Sequence, residues 1–333
     1  MFKKKKIILS YDYELFFGDK SGTVIKSIIE PTNALLDAMD SVDAKGNFFV
    51  DWMMIKCIKE ANTELTDIDY GLLVGQLHDM LRRGHRIELH IHPHWVDAKY
   101  KGDGTWDFSN FQHYSLNSFS EAEIIDMFLE GTNFLTSIAR EVDPDYEIVA
   151  FRAGGWAVQP FEKVRKGFLA AGIKIDSSPC KGFCLINLHS FCDFRIMPNT
   201  SIYRFEYDIC KENKNGQFIC VPITSYKRHL LQGLVDRFTR YFTNGLIKIT
   251  DGTHYRKEDD DAIKNGVLNV PDYNIRMLSL YTNPINIPLV LYQLRKRDMI
   301  CMIQHPKDHT KLACITLKKI LKYTDSITYK QLL

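Results

Sequence analysis

The chain has 333 residues, 45% of them hydrophobic and 25% charged, which is ordinary for a globular protein long enough to bury a full core. The formal net charge of +2 gives no sign of a nucleic-acid partner. No apolar run approaches the ~20 residues of a bilayer-spanning helix, so no transmembrane segment is expected.

The basic run Lys3–Lys6 reads as a solvated leader, followed by only three apolar residues, Ile7, Ile8 and Leu9. A secretory signal needs an apolar stretch of ~7–15 residues. The eight cysteines are scattered and include no Cys-x-x-Cys pair, so reduced thiols and a cytoplasmic location are expected. Residues 5–13, KKIILSYDY, read as a buried first strand. Alternation along it puts Asp12 and Glu14 on one face and Tyr13 on the other. The two carboxylates suit a salt bridge, or equally an acid/base group beside a metal ligand; position alone does not decide.

A helix should begin at Pro31 and Thr32, and GNFFVDW (46–52) reads as a second strand. Helical segments over about 53–61 and 70–83 precede a third strand, His85–His90, that runs into GHRIELHIHPHW. His90, His92 and His94 fall within five residues there, and imidazole is the commonest protein ligand for a borderline-soft divalent metal. Residues 99–116 read as a long loop over this cluster. Ser120 with Glu123 forms a capping box for a helix running to about Val142. A fourth strand, Glu147–Arg152, is followed by AGGW, a helix over Pro160–Ala171 and a short fifth strand ending at Asp176.

The second half is less regular. A hairpin over 203–207 and 218–223, a helix over 226–241 and a polar loop over 244–272 are expected. A helix over 287–297 then feeds the strand Met299–Gln304, which ends at His305, and a last helix covers about 310–323. This strand–helix alternation predicts an α/β fold with a parallel sheet closed or nearly closed into a barrel. It is expected to form one domain over 1–333 with a decorated segment at about 181–300. In such barrels working residues sit at the C-terminal ends of strands, where Asp12, Glu14, the histidines, Arg152, Asp176 and His305 all fall.

GHRIELHIHPH resembles the G-H-x-x-x-x-H-x-x-x-H motif of the polysaccharide deacetylases, the NodB-like carbohydrate esterases. SYDYE stands at their first motif, FRAGGW at the Arg-containing third, IDSS at the Asp-containing fourth and MIQHP at the last, all in family order. The nearest type is that of surface-polysaccharide and O-antigen biosynthesis. The resemblance implies a distorted (β/α) barrel of about seven parallel strands, a divalent metal, most simply Zn²⁺, and removal of an N-acetyl group from a sugar or glycan precursor. It implies His90 and His94 as the metal pair, with His92 not a ligand. The motif's second Asp is Tyr13 here, so Glu14 takes the ligand role and Asp12 the base, with Asp12 as ligand left open. A second departure is Gly154 in place of the third motif's proline.

The chemistry asks for such groups in any case. A Zn²⁺-like ion polarises an amide carbonyl and lowers the pKa of a water. Asp12 would take the water's proton and His305 protonate the leaving amine. Arg152 would hold Asp12, and Asp176 would orient His305. Trp95, Trp106 and Trp156 offer flat faces to sugar rings or, alternatively, pack in the core. Two rival readings remain. One is another metal amidohydrolase using His90 with His92; the other is a carbohydrate-binding barrel without catalysis. The oligomeric state is not legible.

Overall fold

The computed structural model describes residues 4–186, 189–243, 250–254, 256 and 275–333. Its main sheet contains β1 (Lys5–Tyr13), β2 (Gly46–Asp51), β3 (Arg86–Ile91), β4 (Ala150–Ala153), β5 (Ile175–Asp176), β6 (Tyr203–Phe205), β7 (Phe218–Cys220), β8 (Met299–Gln304) and β9 (Thr324–Ser326). The helices are α1 (Glu30–Asp40), α2 (Trp52–Ala61), α3 (Glu64–Arg82), α4 (Glu121–Arg140), α5 (Phe161–Ala171), α6 (Leu230–Thr243), α7 (Ile287–Gln293) and α8 (Lys311–Leu321).

Seven strands run parallel in the order β7–β5–β4–β3–β2–β1–β8, with β6 antiparallel on the β7 edge and β9 parallel to the first residues of β1. The sheet curls round, but β7 and β8 do not pair. The chain beyond β7 bridges the gap: Thr224 N–H donates to the Cys301 carbonyl and Cys301 N–H to Thr224 Oγ1, both at 2.9 Å. Leu278 adds a second rung, taking a bond from Ile303 N–H at 3.0 Å. This is the expected barrel of about seven parallel strands, distorted where its ends meet.

Both faces of the strands are buried, as parallel sheets require. Along β1 the outward residues Ile7, Leu9, Tyr11 and Tyr13 join the large core beneath the helices. Ile8 points inward, into a smaller cluster with Phe49, Ile175, Cys301 and Tyr329. Inward positions then turn polar toward the C-terminal end: Ser10, Asp12 and, just past the strand, Glu14. Tyr13 faces outward and donates to Gln76 Oε1 at 2.8 Å. Alternation therefore sorts the two carboxylates from the tyrosine as expected.

The capping box forms as read, with Glu123 N–H donating to Ser120 Oγ and Ser120 N–H to Glu123 Oε2; such a cap is worth ~1 kcal/mol. Other elements depart from the expectations. The arm Phe218–Cys220 is half of the expected hairpin and also the barrel's last parallel strand. The stretch 226–241 begins as a strand, Ser225–Lys227 paired with Ile275–Met277, before α6 starts at Leu230. Most of the expected loop over 244–272 lies outside the described residues. Among the described residues, no helix is long and apolar enough to cross a membrane.

Candidate active site and metal centre

The inward polar groups of neighbouring strand ends meet at the C-terminal mouth of the barrel. Arg152, buried on β4, spends its whole fork there. Its Nη1 donates to Asp12 Oδ1 at 2.5 Å, its Nη2 to Ser10 Oγ at 2.8 Å and Ser177 Oγ at 3.1 Å, and its Nε to the Ser177 carbonyl at 2.9 Å. Phe49 lies under the guanidinium. Asp12 thus has one oxygen fixed, and its Oδ2 faces His305 Nε2 at 3.5 Å. The expected Arg152–Asp12 pair is present.

Glu14 is buried yet held well below the usual carboxylate range. Burial opposes its ionisation, but the Lys307 ammonium and then the His92 and His90 rings outweigh it. Lys307 Nζ donates to Glu14 Oε1 at 2.8 Å and to the Leu15 carbonyl at 2.7 Å. Glu14 Oε2 lies 2.6 Å from His92 Nε2 and 3.0 Å from His90 Nε2. Ligand atoms of Glu14, His90 and His92 all fall within 4.8 Å of one another, a group that can hold a metal ion.

Hydrogen-bond directions test whether a cation fits. His90 Nδ1 lies 2.6 Å from the Arg152 carbonyl, which can only accept, so Nδ1 carries the proton. In the neutral ring, Nε2 is then a bare lone pair aimed at a carboxylate oxygen. Two acceptors face each other, and only a proton or a cation between them makes the contact favourable. A ring whose far N–H is fixed on a carbonyl is the usual posture of a metal-ligating histidine. The donor set, one carboxylate and two imidazoles, suits a Zn²⁺-like ion and leaves a position open.

The third histidine of the cluster sits elsewhere. His94 packs among Phe17, Phe108, Phe111 and Tyr114, and among the described residues neither ring nitrogen has a hydrogen-bond partner. The structure therefore gathers Glu14, His90 and His92, where the resemblance implies Glu14, His90 and His94. Gly154 explains part of this. A Cβ built there would lie 2.6 Å from His92 Nδ1, so the family's proline would strike the ring. The inward His92 and the missing proline are one arrangement.

Asp176 does not reach His305 as expected. Its carboxylate accepts from Ser178 N–H at 2.8 Å and Ser178 Oγ at 3.1 Å, and burial pushes its pKa up to about 7. The carboxylate beside His305 Nδ1 is instead Asp308, at 3.9 Å, which also bonds His254 Nε2 at 2.8 Å. The strand carrying Asp176 ends under Ser177 and Ser178, so its side chain is used locally. A stability test follows. The folded pKa of Asp176 lies above the unfolded value near 3.8, so ionisation costs the folded state. That stability is complete below about pH 4 and is lost as the pH rises to 7. Asp176→Asn keeps the acceptor for Ser178 N–H. It should be more stable than the parent at pH 8, on the order of 2–4 kcal/mol, with the difference vanishing near pH 4. Thermal melts at the two pH values check this, and a turnover loss of ~100-fold or more would return Asp176 to His305.

The tryptophans divide. Trp95 and Trp106 are only 1% and 5% exposed, and Trp95 Nε1 donates to Asp51 Oδ2 at 2.6 Å. Both rings join the core, Trp95 against Phe108 and Trp106 against Tyr100, as the packing alternative foresaw. Trp156, half-buried in the left-handed region at φ 59°, remains at the mouth. His305 is the most accessible of the central groups, its side chain 21% exposed against 5% or less for Asp12, Glu14, His90 and His92. A substrate must arrive from its side.

Four residues at the site were not singled out in the sequence. Lys307 and Asp308 directly follow His305, and only the buried strand before them hints that they turn back inward. Asp51 pairs with His90 in register across β2 and β3, its pKa pushed up to about 7 by burial although His90 opposes this. His254 lies in a stretch read only as loop.

No protein-family model matches the chain, and no curated protein matches it in sequence. Several solved structures share some of its chain path. A protein of Mycobacterium smegmatis described as a polysaccharide deacetylase is 13% identical with a TM-score of 0.46, over 100% of this chain and 90% of that one. The catalytic domain of a peptidoglycan N-acetylglucosamine deacetylase from Eubacterium rectale is 11% identical with a TM-score of 0.35, over 99% and 91%. A 4-alpha-glucanotransferase from Thermococcus litoralis is 9% identical with a TM-score of 0.49, over 98% of this chain and 37% of that one. These likenesses are too slight to carry over a residue's role or an activity.

Proposed function

We propose that this protein is a metal-dependent hydrolase that removes the acetyl group from an N-acetylated sugar or glycan precursor, with Glu14, His90 and His92 holding a divalent ion, most simply Zn²⁺. The observation that carries the reading is the convergence of His90 Nε2 and His92 Nε2 on one Glu14 oxygen, with Asp12 and His305 beside the same cluster. The ordered motifs from SYDYE to MIQHP narrow it to the polysaccharide-deacetylase type, and to surface-polysaccharide biosynthesis.

A cation in this group would polarise the amide carbonyl and make an attacking water more acidic. The chain's own residues do the rest. Arg152 fixes Asp12 Oδ1 and leaves Oδ2 to take the proton that water gives up. Lys307 holds Glu14 Oε1, so the other carboxylate oxygen stays turned to the imidazoles. His305 Nε2 delivers a proton to the departing nitrogen, without which an amine cannot leave. Its 3.5 Å separation from Asp12 Oδ2 lets the proton won at one group be returned at the other. The balance is one water and one amide consumed, one acetate and one amine released.

The His-x-His pairing is shared with the rival amidohydrolase reading. What supports the deacetylase reading over it is the pair of carboxylates at the end of the first strand, with Arg152 on Asp12. The direct test is mass spectrometry of N-acetylated sugar precursors incubated with the Zn²⁺-loaded protein. Loss of one acetyl group is the expected result. Intact precursors across the panel, with hydrolysis of a ring amide instead, would favour the rival.

A further inference from the structure

Helix α6 is built the wrong way round for a helix that merely packs on its own domain. Its polar residues Gln232, Asp236 and Thr239 face the protein. Gln232 is buried, and the Asn286 side-chain amide donates to the Gln232 carbonyl at 3.3 Å and to Asp236 Oδ1 at 2.9 Å. Asn283 Nδ2 donates to Thr239 Oγ1 at 2.5 Å. Its leucines face out: Leu230 is 90% exposed, Leu231 69% and Leu234 62%. An ordinary surface helix turns such a stripe to the core.

The charge around this stripe is also distinctive. Residues 227–240 contain four cations, Lys227, Arg228, Arg237 and Arg240, and one anion, Asp236, for a local sum of +3. The whole chain carries only +2. Asp236 is turned inward on Asn286, so it does not offset the cations at the surface. Lys227 and Arg237 are exposed. The helix lies beside the site, since Asn283 is two residues from Tyr281, which bonds Asp308 next to His305.

We propose that α6 binds an anionic lipid surface, its leucines entering the headgroup boundary and its basic residues meeting lipid phosphates, so that the barrel mouth rests at a membrane. An apolar face flanked by Lys and Arg is what such a surface selects. A second copy of the chain is the poorer occupant, because a two-fold contact would set Lys227 and Arg237 against their own copies. The proposal does not depend on the deacetylase reading.

The test is co-sedimentation of the full-length protein with sucrose-loaded vesicles, either phosphatidylcholine alone or phosphatidylcholine mixed with phosphatidylglycerol. The protein should pellet with the mixed vesicles and little with the neutral ones. Binding should fall about 5-fold for each cation removed in Lys227→Gln and Arg237→Gln. The Leu231→Glu, Leu234→Glu double variant should stay in the supernatant. Both leucines are exposed, so its circular dichroism and melting should match the parent. Failure of the parent to pellet at low salt, or equal pelleting of the double variant, overturns the proposal. So does a parent dimer in light scattering that the double variant dissociates. None of these readouts uses enzymatic activity, so the result stands apart from the proposed reaction.

Discussion

His92→Ala is expected to bind Zn²⁺ at least ~100-fold more weakly than the parent, as is His90→Ala, while His94→Leu stays within a few-fold. The reason is geometric. His92 Nε2 lies 2.6 Å from the same Glu14 oxygen that His90 Nε2 approaches to 3.0 Å, so the three donors converge on one point. His94 is set among aromatic rings, and leucine there gives up no hydrogen bond seen among the described residues. Burial holds His92 in its neutral, ligating form, with its pKa lowered to about 4. Gly154→Ala adds an arm that removes no ligand side chain. Its Cβ would press on the His92 ring, so metal binding should weaken while Glu14 and His90 stay intact. Titration against a chromogenic chelator, with elemental analysis of the purified variants, gives the answer. If His94→Leu loses the metal and His92→Ala keeps it, the spacing implied by the family resemblance is right, and the ligand group must rearrange when the ion binds.

Asp12→Asn and His305→Ala should each retain the metal and lose turnover by ~10²–10⁴-fold, the worth of a positioned base or acid. Asn keeps an acceptor for Arg152 Nη1 but cannot take a proton. It also leaves the buried guanidinium without a counter-charge, and breaking such a pair costs ~3–5 kcal/mol. The variant should therefore melt earlier as well as turn over slowly. His305 is half-buried at the rim and makes no bond that holds the barrel closed, so His305→Ala should lose activity with little loss of stability. Stopped-time assays by mass spectrometry, paired with metal analysis and thermal melts, separate the two effects. The outcome that reverses the assignment is an Asp12→Asn protein without metal beside a Glu14→Gln protein that keeps it. Asp12 would then be the ligand.

The sequence by itself determined the longer strands of the barrel and which residues stand at their ends. Parallel strands are buried on both faces, so they show as apolar runs, and a run that turns polar marks a strand end; β1, β2, β3 and β8 were legible for that reason. Alternation alone placed Asp12 and Glu14 together and Tyr13 apart. Pairing partners are not written in strands of two or three residues, so the parallel role of Phe218–Cys220 emerged only in three dimensions, as did the strand Thr324–Ser326. The site divides along the same line. That Arg152 should meet Asp12 was expected, since both stand at strand ends and a guanidinium pairs with a carboxylate. Which carboxylate would reach His305 was not legible, because Asp176 is drawn to Ser178 by a turn while Asp308 comes back beside the ring. Nor was the choice between His92 and His94. Spacing permits either, and only packing separates them: Gly154 makes room for one ring at Glu14, and the aromatic shell of Phe108, Phe111 and Tyr114 takes the other.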